Sequence, residues 1–361
     1  MPAIIKQFFF KSHEMTLSDP RFISLNQWLN HYFSYDVTPV LISGDASFRR
    51  YFRITTADAS FIAADSPPAL VPIAPFIALS KAYSAVGLTV PKVIAADEKQ
   101  GFMLLSDLGD IQLLSVLTPE NVSDYYRSAL ALLPQIAAVV ESTCPETGLI
   151  QSLPLYDEVL VRRELHIFTE WLLGTHLQLS LNEVEVQLLN QSFDILVDNA
   201  LSQPKVGMHR DFHSRNLMLQ GKTLSVIDFQ DAVIGPVTYD AVSLLRDCYI
   251  SWPQTLVADL MAQHYQQTLA QGFIPVDTPF SQYQRWFDLM GLQRHIKAVG
   301  IFARLHYRDN KPAYMADIPL TLTYIVDTAM AYPELAPLAQ WLQARVLPAF
   351  DVVHSKVETD Q

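Results

Sequence analysis

G-M-H-R-D-F-H-S-R-N-L-M-L-Q-G-K-T-L-S-V-I-D-F-Q-D, residues 207–231, is the stretch whose reading decides the fold. Val206 to Met208 is apolar, and His209 to Asn216 is polar. Leu217 to Leu219 is apolar again, Gly221-Lys222 is a two-residue hairpin signal, and Leu224 to Ile227 returns as a strand. Asp211, Asn216 and Asp228 therefore emerge at strand ends. A carboxylate that can take a proton from a hydroxyl, an amide oxygen and a second carboxylate form a set suited to phosphoryl transfer onto an alcohol. Asp211 is the candidate base, and Asn216 and Asp228 are the candidate Mg²⁺ ligands. The competing reading is a polar loop in which both aspartates only form turns.

Upstream, Asp19-Pro20 opens a helix carrying Phe22, Leu25, Trp28 and Leu29. Strands are expected at 40–42, 51–54, 61–64, 90–95 and 102–105, with one helix from Pro75 to Gly87. The loop between the first two strands holds Gly44 and Ser47, whose backbone N–H groups could fold over phosphates, although an ordinary hairpin reads equally well there. Five strands and a helix make a small α+β lobe, residues 1–106. Ser106-Asp107-Leu108-Gly109 is the joint to a second lobe, residues 107–361, and a nucleotide base would rest near Leu105 and Asp107.

The second lobe reads as mainly helical. Helices are expected from Thr118 to about Val140, Tyr156 to Leu173, Asn182 to Ala200, Thr238 to Tyr249, Gln254 to Gln271 and Ser281 to Tyr307, with a last pair after Leu320. On the longest of these, Arg294, Lys297, Arg304 and Arg308 share one arc of an otherwise apolar surface. A basic stripe on a buried helix must line a cleft or meet buried carboxylates.

Half of the residues are hydrophobic and 17% are charged, which argues against disorder. A net charge of −12 argues on electrostatic grounds against a nucleic-acid or anionic-membrane partner, and no run is long enough for a membrane span. Cys144 and Cys248 are far apart and match no metal spacing, as expected of reduced thiols in the cytoplasm.

With these features assembled, the chain resembles the aminoglycoside/choline-kinase-type phosphotransferases from about Asp36 onward. The strings that look most like the anomeric N-acetylmuramate/N-acetylglucosamine kinases are G-D-A-S-F-R-R-Y-F-R at 44–53, D-S-P-P at 65–68, L-L-S-D-L-G-D at 104–110 and H-R-D-F-H-S-R-N at 209–216. D-F-Q-D at 228–231, Y-D-A-V-S-L-L-R-D-C-Y at 239–249 and Q-R-H-I-K at 293–297 complete them. The resemblance implies a bilobal protein-kinase-like fold, ATP and Mg²⁺ as cofactors, and a small sugar as acceptor for a monomer or weak dimer. It implies that Asp211 is the base, that Asn216 and Asp228 hold the metal, and that His209 and Asp240 brace the loop. Gln230, Asp231, Arg246, Arg294 and Arg304 are candidate acceptor contacts.

One departure stands out. Kinases of this fold carry a lysine on the strand represented here by Phe61 to Asp65, paired with a helix glutamate. This chain has neither. Arg49, Arg50 or Arg53 is expected to supply the phosphate contact instead, with Arg49 and Arg53 on one strand face. The missing lysine also admits a second function, a nucleotide-binding pseudokinase. An aromatic cage from Tyr249, Trp252 and Trp286 would suit a choline-like acceptor, whereas an aminoglycoside would need an acidic pocket.

Overall fold

The computed structural model describes residues 19–33, 35–42 and 48–359, so Gly44, Ser47 and the rest of the expected phosphate-loop tip lie outside the described residues. The first lobe is built around an antiparallel sheet. Helix α1 (Pro20–Leu29) begins on Asp19, whose carboxylate accepts the Arg21 N–H at 2.9 Å. Strands β1 (Val40–Leu41), β2 (Arg50–Thr55) and β3 (Ser60–Asp65) precede helix α2 (Ala74–Ala85), and β4 (Val93–Asp97) and β5 (Phe102–Ser106) follow it. The strand order is β1-β2-β3-β5-β4.

Side-chain alternation divides the two faces of this sheet. Phe52, Ile54, Ala63, Phe102 and Leu104 pack on Phe22, Leu25 and Trp28 of α1. Ala64, Met103 and Leu105 face the other way and join the main core with Phe76 and Tyr83 of α2. Arg50 sits opposite Asp65 in the β2/β3 register, on the α1 side. The fully buried Asp65 carboxylate takes Arg21 Nε at 2.9 Å and Arg50 Nε at 3.0 Å. Such charge-assisted bonds supply the partners that a carboxylate removed from water needs.

In the second lobe the helix expected over 118–140 is two pieces, α3 (Val122–Leu130) and α4 (Leu133–Ala137). Pro134, which has no N–H to donate, sits in the first turn of α4, and Ala131 and Leu132 between the two pieces keep right-handed helical angles. A short hairpin, β6 (Glu141–Thr143) and β7 (Ile150–Ser152), then leads to α5 (Glu158–Ile167). α5 continues as a wider π-helical segment over Phe168–His176. Helix α6 (Glu183–Ser202) carries a capping box between Asn182 and Glu185. Strand β8 (Lys205–Met208) pairs with β11 (Val233–Pro236), and β9 (Leu217–Gln220) pairs with β10 (Thr223–Val226), so the decisive stretch forms two ribbons.

Helices α7 (Tyr239–Leu245), α8 (Gln254–Ala270), α9 (Phe280–Asp309), α10 (Ile318–Met330), α11 (Ala336–Trp341) and α12 (Leu347–Thr359) complete the lobe. The 30-residue α9 runs through its centre. Its Gly300 is a contact no larger residue could make: a Cβ there would lie 2.6 Å from the backbone of Ile167 and Phe168, where α5 widens. No helix of the described residues is long and apolar enough to cross a membrane.

Candidate active site

The loop between β8 and β9 is held from below by two carboxylates. Asp240, near the start of α7, accepts the backbone N–H of His209 at 2.7 Å and of Arg210 at 3.0 Å. Asp247 accepts the backbone N–H of Ser214 at 3.1 Å and its hydroxyl at 2.5 Å. His209 is fully buried, with Nε2 3.0 Å from the Ile227 carbonyl and Nδ1 accepting the Asp211 N–H at 3.2 Å. Nδ1 must then be the bare nitrogen and Nε2 the donor, so the ring is neutral, and burial pushes its pKa down to about 4. Arg210 (φ +77°) and Asp228 (φ +64°) both adopt the left-handed region. Each costs about 1–3 kcal/mol, which the surrounding bonds must offset.

These constraints bring Asp211, Asn216 and Asp228 together. Asn216 Nδ2 donates to the Asp211 carbonyl at 3.0 Å and lies 3.4 Å from Asp228 Oδ2. The amide nitrogen is thus committed to the loop, leaving Oδ1 as the atom that could meet a cation. Gln230 Nε2 donates to Asp228 Oδ1 at 2.7 Å, so Gln230 lies on the Asp228 side of the site. Burial would raise the Asp211 carboxyl, yet the Lys297 and Arg210 cations hold it below the usual carboxylate range. Asp211 is therefore ionised and able to accept a proton. Two hard oxygen ligands suit Mg²⁺, which takes only one or two protein carboxylates and fills its shell with phosphates and water.

A cleft of about 410 Å³ opens beside this pair, lined by Tyr51, Arg53, Leu105, Asp107, Asn216 and Asp228 among others. Phe229 locks its floor to the first lobe, with its ring 4.9 Å from Phe76 and 5.6 Å from Tyr83. The three candidate arginines separate by strand face. Arg50 points toward α1 and is engaged with Asp19 and Asp65. Arg53 faces the cleft but is gripped by Asp107 at 2.7 Å and by Asp110. Asp107 also takes the Ser60 hydroxyl, so it contributes to the cleft as a brace for Arg53. Arg49 is 3% exposed, donates to Ser66 Oγ at 2.7 Å and lies over the Phe76 ring.

Along α9, the basic stripe divides. Lys297 Nζ pairs with Glu164 at 2.9 Å and Arg308 with Asp309. Arg294 lies over the Tyr239 ring, within electrostatic reach of Asp211 and Asp247. Its Nε and one terminal nitrogen are buried with no hydrogen-bond partner among the described residues. Arg304 is elsewhere, among Arg308, Asp309 and Glu170. Arg246 pairs with Asp288 and lines a separate cavity of about 460 Å³. The Asp231 side chain is exposed, and only its carbonyl meets the loop, accepting from Arg210 at 3.3 Å. The aromatic trio does not converge. Tyr249 is covered by Arg215, Trp252 bonds Tyr126, and Trp286 is buried against Asn199. Glu164 was not legible in the sequence, although a basic stripe on a buried helix called for such a partner.

Buried histidines make the fold acid-sensitive. Burial pushes His209 and His264 down to about 4 and His295 to about 3. The unfolded chain protonates these rings near 6.5 and the folded chain does not, so stability is lost as pH falls from about 6.5 toward 4. Asp240, which burial pushes up to about 7, offsets part of this loss by taking a proton in the folded state. Three imidazoles outweigh one carboxyl, so Tm is expected to drop clearly between pH 7.5 and pH 5. A Tm that holds or rises over that interval contradicts this assignment.

Comparison with known proteins agrees with this geometry. The profile described as "Phosphotransferase enzyme family" matches residues 38–272. The N-acetylmuramate/N-acetylglucosamine kinase of Pseudomonas putida is 40% identical over 298 residues, 82% of this chain and 85% of that protein. The protein of the same name from Neisseria meningitidis serogroup B is 40% identical over 323 residues, 88% and 94% of the two chains. Among solved structures, the Plasmodium vivax ethanolamine kinase superposes with a TM-score of 0.59 at 12% identity, covering 84% of this chain and 86% of that one. The ADP-bound aminoglycoside phosphotransferase APH(2'')-Ib gives 0.57 at 13%, covering 84% and 98%. The expected bilobal protein-kinase-like architecture is thus the observed one. With the profile spanning most of the chain and relatives at 40% identity along most of their length, this chain belongs to the phosphotransferase enzyme family.

Proposed function

We propose that this sugar kinase transfers the γ-phosphoryl group of ATP to the anomeric hydroxyl of N-acetylmuramate or N-acetylglucosamine, in the cytoplasm where both substrates meet. The names of its relatives support the sugar, and the observation that carries the carboxylated one is Arg294. A half-buried guanidinium within electrostatic reach of Asp211, two of whose nitrogens have no hydrogen-bond partner among the described residues, can receive an anionic group of the acceptor. A polycationic acceptor would be repelled from the same place.

In this reading the cleft beside Leu105 and Asp107 takes the nucleotide. Asn216 and Asp228 hold Mg²⁺, which when bound neutralises charge on the phosphates. Arg49, on the cleft face of the sheet, does the work of the missing strand lysine. Asp211 orients the acceptor hydroxyl and receives its proton. Gln230 fixes the Asp228 carboxylate, while Asp240 and Asp247 keep the loop in its strained shape.

Removing the guanidinium should discriminate between the two sugars, because only N-acetylmuramate has a carboxylate. A charge-assisted hydrogen bond is worth about 1.5–3 kcal/mol, which corresponds to about 10- to 100-fold in affinity. Arg294→Ala is expected to raise KM for N-acetylmuramate by that factor and to leave KM for N-acetylglucosamine nearly unchanged. Equal effects on both sugars contradict the carboxylate contact.

A further inference from the structure

Glu164 lies on α5, far upstream of the catalytic loop, and its side chain is 4% exposed. Four elements meet on this one carboxylate. Oε1 takes Arg210 from the catalytic loop at 2.7 Å and Lys297 Nζ from α9 at 2.9 Å. Oε2 takes the Tyr156 hydroxyl at 2.5 Å, which itself accepts Gln293 Nε2 at 2.7 Å. Lys297 also donates to the Tyr239 hydroxyl at 3.2 Å, and Tyr239 immediately precedes the loop-bracing Asp240.

We propose that Glu164 is a positioning residue for phosphoryl transfer: by anchoring Arg210 and Lys297 it fixes the place of the Asp211 carboxylate. The proposal rests on the reading of Asp211 as the base. Two cations on one buried carboxylate leave a positive excess, and the carboxylate that Arg210 and Lys297 both reach next is Asp211. A purely structural role is poorly served by such an arrangement, since an apolar cluster fills a core at lower cost than buried ions. Arg210 directly precedes Asp211 in a left-handed conformation, so the grip on its side chain bears on the orientation of the next residue.

The test is Glu164→Gln, which keeps the shape and removes the charge, followed by Lys297→Met and the double variant. Folded Glu164→Gln is expected to lose about 10- to 100-fold in kcat, as for a misplaced reacting group, with nucleotide affinity unchanged. The double variant should fall no further than the worse single one, because both break the same link. Amide hydrogen exchange at residues 209–216 should quicken in each variant. Should Glu164→Gln not fold, Glu164→Asp and Lys297→Met are expected to show the same split. Wild-type kcat with wild-type exchange in a folded variant overturns the proposal, as does a kcat loss matched by an equal loss of nucleotide affinity. If the parent protein phosphorylates no sugar, the functional reading fails instead, and the exchange comparison still decides the role of Glu164.

Discussion

Asp211→Asn is expected to lower kcat by about 10²- to 10⁴-fold, the range for loss of a positioned general base. The substitution is nearly isosteric and leaves the backbone contacts of the loop in place. The His209 and Arg210 N–H groups still bond Asp240, and the Asp211 N–H still bonds His209. What disappears is the negative charge that the Lys297 and Arg210 cations favour, and with it the acceptor for the hydroxyl proton. Titration with Mg·ATP should give a near-parental Kd, because Asp211 is not assigned to the nucleotide cleft. Steady-state turnover with the sugar and calorimetric nucleotide binding, measured on the same preparation, separate the two effects. Retained turnover removes Asp211 from the base role.

The second large effect is expected at Asp228. Its φ of +64° makes alanine a poor probe there, since loss of the carboxylate would be mixed with backbone strain. Asparagine tolerates the left-handed region, so Asp228→Asn isolates the charge. A Mg²⁺ ligand acts on phosphates through charge stabilisation worth several kcal/mol, so turnover should fall by about 10³-fold. ATP binding should lose its dependence on Mg²⁺, with similar affinities in Mg²⁺ and in a chelator. If Mg²⁺ continued to tighten ATP binding to the same degree, the metal would be held elsewhere.

Local signals carried much of this structure. The β9/β10 ribbon between Asp211 and Asp228 follows from short apolar runs and the Gly221-Lys222 turn, whereas β11, the partner of β8, had no counterpart in the sequence reading. The separation of Arg49 and Arg53 from Arg50 follows from strand alternation alone. Helix ends were harder to read. The helix expected over 118–140 divides at residues 131–132, just ahead of Pro134, and the widening of α5 after Ile167 lies against Gly300 of α9, which no local pattern announces. Partners distant in the chain were the least legible. Lys297 was visible as a cation on an apolar helix, but nothing near Glu164 marks it as the carboxylate that meets it. Arg246 and Arg304 have the same chemistry as Arg294 and were indistinguishable from it until packing sent each to a different place. The aromatic cage was compositional only, and the three rings have separate neighbours.

The account as a whole rests on transfer of phosphate to a sugar hydroxyl under the control of Asp211. A coupled ADP-release assay with a panel of N-acetylmuramate, N-acetylglucosamine, choline and aminoglycosides measures that directly, with phosphorus NMR of the product to locate the new bond. The account predicts turnover that depends on an N-acetylated amino sugar, a product phosphorylated at the anomeric carbon, and loss of both in Asp211→Asn. Tight Mg·ATP binding with no turnover on any acceptor would contradict it and mark the chain as a nucleotide-binding pseudokinase.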